Sequence, residues 1–370
     1  MNSEMGQANP FFFESPSDRW SFTDREALLP ILVGFYSETG RRMLVHGRRR
    51  MGKTSLIKNA AVKAGHVFLY IDLSTAASLS EVARKILDAM PAQESKLLPR
   101  IIELATKFLK DFSIALGKIK LSAELRPEEG PEMLERVLDF VHGQAELADA
   151  PWTLCFDEFQ ELRTFGGERI DWRIRGAIQE HRHVNYIFSG SDQRLIKWMT
   201  EPGAPFFKQL QQIEVGPIDP AHLAAWITKR ARTGGLTDFP YSAEIVEKAG
   251  PCTGDIVRLA KFVFDVALGG GAKDGTVEKA LDAISLVEFN GEFTARWHEC
   301  SITQRAMLRA LAAGRLPTAS DTLRAYGVKS GSTAYGALNV LAERYILTKV
   351  EKGFVFDSPF FRRWVALNAG

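Results

Sequence analysis

Apolar residues follow two periods along this chain, and the places where the period changes mark its elements. Four short stretches are apolar almost throughout: residues 42–46, 66–74, 152–158 and 185–191. Stretches of that length with no polar alternation suit parallel strands covered on both faces. Apolar residues return at helical spacing over 22–36 (closed by Gly40), 55–64, 79–90, 97–115, 131–147 and 171–181. Residues 114–122 alternate as a short hairpin would, and Pro127 to Gly130 breaks the chain. Strands alternating with helices predict an α/β fold on a parallel sheet.

From residue 217 the strand signal stops. Asp219-Pro220 supplies a cap and first turn for a helix to about 232. Ser242 as cap and Gly250 as stop bracket a second helix, and a third runs from Thr253 to Gly269-Gly270-Gly271. The last section carries helical patterns at 302–313, 320–326 and 330–344. Two short strands follow at 346–350 and 354–356, joined by Glu351-Lys352-Gly353. Three helices and a two-stranded wing are the order of a winged helix-turn-helix, whose third helix is the one for a major groove. The expected organisation is a sheet-bearing core with an N-terminal adenine-side segment over 1–216, a helical lid over 217–289 and a winged-helix domain over 290–370.

Composition changes this picture little. The chain has 370 residues, 45% hydrophobic and 25% charged, as expected of a soluble protein with two or three cores. No apolar run approaches the roughly 20 residues of a membrane span, and residues 1–10 lack the basic start and apolar core of a secretory signal. Cys155, Cys252 and Cys300 are scattered, with neither a disulfide framework nor zinc spacing, so a reducing, cytoplasmic setting is expected. Charge adds more. The net charge is +2, but residues 301–370 hold ten Lys and Arg against four Asp and Glu, so the tail carries +6 and the rest −4. A basic tail suits a polyanionic partner such as duplex DNA.

The candidate chemistry lies at the strand ends. Gly47, Arg48, Arg49, Arg50, Met51, Gly52, Lys53, Thr54 and Ser55 fit the phosphate-binding pattern G-x-x-x-x-G-K-[ST], between a strand and a helix. The glycines read as positions where a Cβ would block a triphosphate, while loop amides and the helix N-terminus face the anion. Lys53 suits the β- and γ-phosphates and the Thr54 hydroxyl one Mg²⁺ position. The strand at 152–157 ends in Asp157-Glu158, an aspartate for the Mg²⁺ shell and a carboxylate to polarise an attacking water. Ser191 follows another buried strand, where sensor-1 groups meet the γ-phosphate in P-loop ATPases of the AAA+ type. Asp72 reads either as a helix cap or as a group behind the metal. Residues 9–13 read either as a hydrophobic staple or as a segment folded over an adenine. Arg173, Arg175 and Arg182 suit a solvated helix face, and Arg258 is either solvated or a sensor 2.

With these residues in place, the chain resembles the archaeal-type ATPase family, in the STAND branch of P-loop NTPases related to AAA+. The likeness spans Asn9-Pro10-Phe11, Phe22-x-Asp24-Arg25-Glu26, the loop with Arg49-Arg50, and Asp157-Glu158-Phe159-Gln160. It continues through Arg175 with Ile178-Gln179, Phe188-x-Gly190-Ser191, Pro205-Phe206-Phe207 and Asp357-x-Pro359-Phe360-Phe361-Arg362-x-Trp364. The resemblance implies an ATPase core, lid and winged helix, with ATP or ADP and Mg²⁺ as ligands. It implies Glu158, Lys53, Arg175 and Ser191 as catalytic groups, with Arg175 an arginine finger in cis or from a neighbouring subunit. It adds Asp24, Arg25 and Arg258 to the nucleotide contacts, with Thr54 and Asp157 on the metal. The chain departs from the family at 253–259, where Asp255 and Val257 stand for a glycine and a proline. Two functions fit: an ATP-hydrolysing switch, or a DNA-binding regulator or loader with nucleotide as a structural ligand. A protein partner or self-association through the wing is open beside duplex DNA.

Overall fold

The computed structural model describes residues 9–12, 23, 25–90, 130–271 and 274–368. The helical pattern at 97–115, the hairpin at 114–122 and Asp24 lie outside them. The chain divides into two compact units, one of residues 16–216 and one of residues 1–15 with 217–370.

The unit of residues 16–216 is built on five parallel strands: β1 (Arg42–His46), β2 (Val67–Asp72), β3 (Trp152–Asp157), β4 (Val184–Gly190) and β5 (Gln211–Glu214), in the order β2-β3-β4-β1-β5. All five carboxyl ends therefore share one edge. The sequence pattern finds the first four strands. It misses β5, an edge strand with Ile213 buried and both glutamines and Glu214 exposed. The helices are α1 (Leu29–Ser37), α2 (Lys53–Ala64), α3 (Leu79–Ala89), α4 (Gly130–Ala148), α5 (Leu162–Gly166), α6 (Ile170–Ile178) and α7 (Gln193–Thr200).

One sheet face carries Leu44, Ile71, Leu154 and Phe188 into a core with Val82 and Ile86 of α3, Leu138 of α4 and Ile174 of α6. The other face meets α1 and α2. There the Tyr36 ring stands edge-on to Phe68 at 5.7 Å, and its hydroxyl donates to the Ile57 carbonyl at 3.1 Å. Asn185 is fully buried on that face, and its amide donates to the carbonyls of Phe35 (3.2 Å) and Glu38 (2.6 Å). Its carbonyl accepts from the Arg41 amide at 2.9 Å. An asparagine inside a strand thus closes the C-terminus of α1, where helical carbonyls lack partners.

The other unit is mainly helical: α8 (Pro220–Thr233), α9 (Ser242–Ala249), α10 (Thr253–Val266), α11 (Thr276–Ala283), α12 (Asn290–His298), α13 (Ile302–Ala312), α14 (Ser320–Ala325) and α15 (Gly331–Glu343). The antiparallel pair β6 (Leu347–Val350) and β7 (Gly353–Phe356) follows, then α16 (Pro359–Asn368). Asp219 caps α8 as expected, its side chain accepting from the His222 amide at 2.8 Å. Ser242 does not cap α9. Tyr241 holds that position, and the Ser242 hydroxyl instead pairs with that of Thr228 at 2.7 Å.

The described part of the aromatic entry segment belongs to this unit, not to the core. Phe11 is fully buried and edge-on to Trp226 (6.0 Å) and Phe264 (5.9 Å), which leaves it no face for an adenine. Asn9 donates to the Lys261 carbonyl (2.9 Å) and the Asp265 carboxylate (2.7 Å). Apolar packing is continuous across the expected boundary at 289/290. Arg363 of α16 pairs with Asp282 of α11 at 2.5 and 3.1 Å, and the Trp364 indole donates to Asn290 at 2.9 Å. Among the described residues no helix is long and apolar enough to cross a membrane.

Candidate functional site

The phosphate-type loop leaves β1 at His46 and enters α2 at Lys53. Its two glycines are needed for different reasons. At Gly47 (φ 148°) a Cβ would lie 2.4 Å from the Val215 carbonyl oxygen, so room is kept for the neighbouring chain. The fold itself therefore requires a glycine there, whatever a triphosphate adds. At Gly52 (φ 88°) a Cβ would meet open space, and the left-handed backbone alone calls for glycine. Gly52, the N-cap of α2, has no side chain to cap it, and the first amides of α2 with the loop backbone form an N-terminal cradle. Met51 is buried, Arg48 is half-buried, and Arg49 and Arg50 are exposed. The half-buried Ser55 accepts on its carbonyl from Asn59 at 2.8 Å.

Lys53 is only 5% exposed, and its ammonium donates to the carbonyls of Gly47 (2.9 Å) and Arg48 (3.0 Å). Burial lowers the pKa of His46, with Lys53 adding to the effect against Glu214, so a neutral ring stands beside that cation. Thr54 Oγ1 donates to Asp157 Oδ2 at 2.7 Å, bringing the two motifs together across 103 positions. Tyr70 donates to the same oxygen at 2.7 Å. Burial first, then the Asp157 carboxylate, pushes the Tyr70 phenol far up, so it stays a donor. Asp72 is the cap: its carboxylate accepts from the amide (2.9 Å) and hydroxyl (2.6 Å) of Ser74.

Glu158 adopts a left-handed backbone (φ 52°, ψ 47°), which costs about 1–3 kcal/mol in a non-glycine residue. Its Oε2 accepts from the Ser191 hydroxyl at 3.0 Å and from the Gln160 amide. Arg49 Nε donates to the Ser191 hydroxyl at 3.3 Å. Gly190 makes room here, since a Cβ would lie 2.2 Å from Leu195 Cδ2 and 2.5 Å from the Gln160 side-chain oxygen Oε1. Arg25 is buried and donates to the carbonyls of Met51 (2.9 Å) and Gly216 (3.0 Å), tying the loop backbone to the end of this unit.

No protein-family model matches the sequence, and no curated protein matches it. Solved structures do. A Walker-type ATPase of Pyrococcus abyssi superposes with a TM-score of 0.66 at 19% identity, over 97% of this chain and 100% of that one. The Aeropyrum pernix ORC1 protein, solved in complex with DNA, gives 0.54 at 15% identity over 95% of each chain. The ORC2 protein of the same organism, solved as ADPNP and ADP complexes, gives 0.53 at 16% identity over 95% of this chain and 96% of that one. The fold is that of an AAA+-type P-loop ATPase. The resemblance to archaeal-type ATPases holds at that level.

Within the unit of residues 16–216, one expected site residue lies away from the loop. Arg175 lies in the last turn of α6, close enough to Arg42 to help lower that guanidinium's pKa, for which burial is the larger cause. Arg42 opens β1, whereas the loop leaves from the strand's far end, so Arg175 belongs to the amino edge of the sheet. Arg258, in the other unit, pairs with Glu288 and lies over the Phe289 ring at 4.7 Å. Of the neighbouring arginines, Arg173 pairs with Glu135 at 2.6 Å.

Tyr70 and Gln160 touch the two carboxylates, and neither is among the expected site residues. For Tyr70 the signal is alternation: β2 and β3 pair Tyr70 with Cys155 and Asp72 with Asp157, so Tyr70 and Asp157 share one face. The assembled set fits a magnesium nucleotide. It offers a buried ammonium and an uncapped helix N-terminus for phosphate, a hydroxyl and a carboxylate in contact for the ion, and a second carboxylate held beside them.

Proposed function

We propose that this chain binds ATP with Mg²⁺ at residues 47–55 and hydrolyses it, as a switch that couples nucleotide state to the C-terminal winged helix. The observation that carries this reading is the contact of Thr54 with Asp157 while Ser191 holds Glu158. Lys53 and the loop amides bind the phosphates, and Thr54 and Asp157 hold the metal. A bound Mg²⁺ would draw charge from the β- and γ-phosphate oxygens. Glu158, aimed by Ser191 and Gln160, orients the attacking water and takes its proton. Arg175, on the amino edge, would act in trans from a neighbouring subunit, and Arg258 as sensor 2 would exchange Glu288 for a phosphate. Asp24 and Arg25 are nucleotide contacts in this reading, and the Arg25 guanidinium also holds the Met51 carbonyl of the loop. Binding of a fluorescent ATP analogue with and without Mg²⁺ tests the site. Lys53→Ala is expected to lose binding, and a wild-type chain without Mg²⁺-dependent binding would refute the proposal.

A second reading, DNA binding through the winged helix, is supported by the +6 charge of residues 301–370 and by the likeness to a protein solved with DNA. Arg324, Lys329 and Lys352 suit phosphate contacts, while Ser332, Thr333 and Asn339 offer little base readout. Arg344 is already paired with Glu299 at 2.6 Å, and Lys349 donates to the Tyr335 hydroxyl at 2.9 Å. Full-chain anisotropy on a labelled duplex should give a Kd of about 10⁻⁴–10⁻⁶ M that weakens steeply with salt. No salt-sensitive binding would leave the wing to a protein partner or to self-association.

A further inference from the structure

We propose that Tyr70 is a positioning residue for Asp157: its hydroxyl holds one acceptor direction of Oδ2, so that the carboxylate presents one fixed edge to a divalent cation. The proposal rests on the nucleotide reading above and concerns the metal side of that site. An ionised carboxylate offers about four acceptor positions. Three are taken within the protein: Oδ2 accepts from Thr54 and Tyr70 at 2.7 Å each, and Oδ1 from the Glu158 amide at 3.1 Å. Turning the carboxylate about its own bond would break both short contacts to Oδ2 at once. A water in a magnesium shell would then meet the one direction left.

The tyrosine ring is itself held. Lys58 Nζ lies 3.8 Å from its centroid. Lys58 is four residues after Thr54 on α2, so one helix face carries both the hydroxyl on Asp157 and the cation that fixes the ring donating beside it. A cation over a phenol also draws charge from the ring, which strengthens the hydroxyl as a donor. Tyr70 therefore ties the P-loop helix to the Walker B aspartate by a second route, parallel to Thr54.

The test is a Mg²⁺ titration of fluorescent ADP binding to the full-length chain, with binding in EDTA as the metal-free reference and thermal melting as the check on folding. Tyr70→Phe keeps the ring under Lys58 and removes only the hydroxyl. It is expected to raise the Mg²⁺ midpoint roughly tenfold, as for one hydrogen bond to a charged group, with EDTA binding unchanged and Tm lowered by no more than a few degrees. Lys58→Met should move the midpoint the same way by about two- to fivefold. An unchanged midpoint in Tyr70→Phe, with wild type still Mg²⁺-dependent, overturns the proposal and leaves the nucleotide reading standing. A lower Tm with weaker binding in EDTA also overturns it, since the tyrosine would then be a packing residue. A wild-type chain whose nucleotide affinity ignores Mg²⁺ overturns both.

Discussion

Asn185 and His181, at the amino edge of the five-stranded sheet, are as buried as Lys53 and Asp157 at its carboxyl edge. At the amino edge every partner belongs to the fold. His181 uses both ring nitrogens, one with the Tyr186 hydroxyl at 2.6 Å and the other with Asp139 at 3.0 Å, and stacks on His142 at 4.5 Å. Asn185 closes α1, and Arg42 donates to the carbonyls of Ile178 (2.5 Å) and Gln179 (3.1 Å), closing α6. At the carboxyl edge the partners are of a kind that a charged ligand can replace. Loop carbonyls hold an ammonium, and hydroxyls and an amide hold two carboxylates. Burial of polar groups does not by itself mark a site. What separates the two edges is a glycine-bearing loop at a helix N-terminus with two carboxylates beside it, which stands at the carboxyl edge.

That distinction should show as function without stability at one edge and stability without function at the other. The largest effect is expected from Glu158→Gln. Loss of a general base should lower turnover by about 10²–10⁴-fold, with nucleotide binding and Tm unchanged, as read by phosphate release and thermal melting. Turnover at the wild-type rate would remove Glu158 from the chemistry. Next is Asn185→Ala, which strips the side-chain partners of the Glu38 carbonyl and the Arg41 amide and one of two partners of the Phe35 carbonyl. With about 1–3 kcal/mol for each buried group left unsatisfied, urea unfolding should show a loss of roughly 2–4 kcal/mol, while Mg²⁺-dependent nucleotide affinity stays the same. A loss of affinity at unchanged stability would break the comparison.

The smallest effect concerns pH. Burial lowers the His181 pKa from its ordinary 6.5, helped by His142 and Arg42 and opposed by Asp139. The folded ring therefore stays neutral where the unfolded one takes a proton. Stability should fall as pH drops through about 6.5 and level off below the folded pKa. His181→Gln should flatten the Tm profile between pH 7.5 and 5.5, by about 1 kcal/mol or less. An unchanged slope would mean that another group titrates in that window.

Much of the fold was legible because it depends on neighbours in sequence. Four apolar runs became β1 to β4, the glycine-lysine loop fell between β1 and α2, and Asp157-Glu158 ended β3. Asp219 capped its helix, and three helices preceded a two-stranded wing. Less was legible where burial is thin or where a second chain segment decides. β5 escaped because Ile213 is its only buried residue. The sequence also left open which edge of the sheet Arg175 would occupy, and it assigned residues 9–12 to the core, whereas they pack in the mainly helical unit.

By itself, then, the sequence determined the periods, the Asp219 cap and the two loop and strand-end motifs, since backbone propensity and side-chain alternation act over a few residues. Only the tertiary structure decided that Gly47 yields to Val215, that Arg25 ties Met51 to Gly216, and that Phe11 is core for α8 and α10. It also decided that Tyr70 meets Asp157 across 87 positions. Those contacts follow from strand order and register, which depend on the summed packing of distant segments rather than on any short pattern.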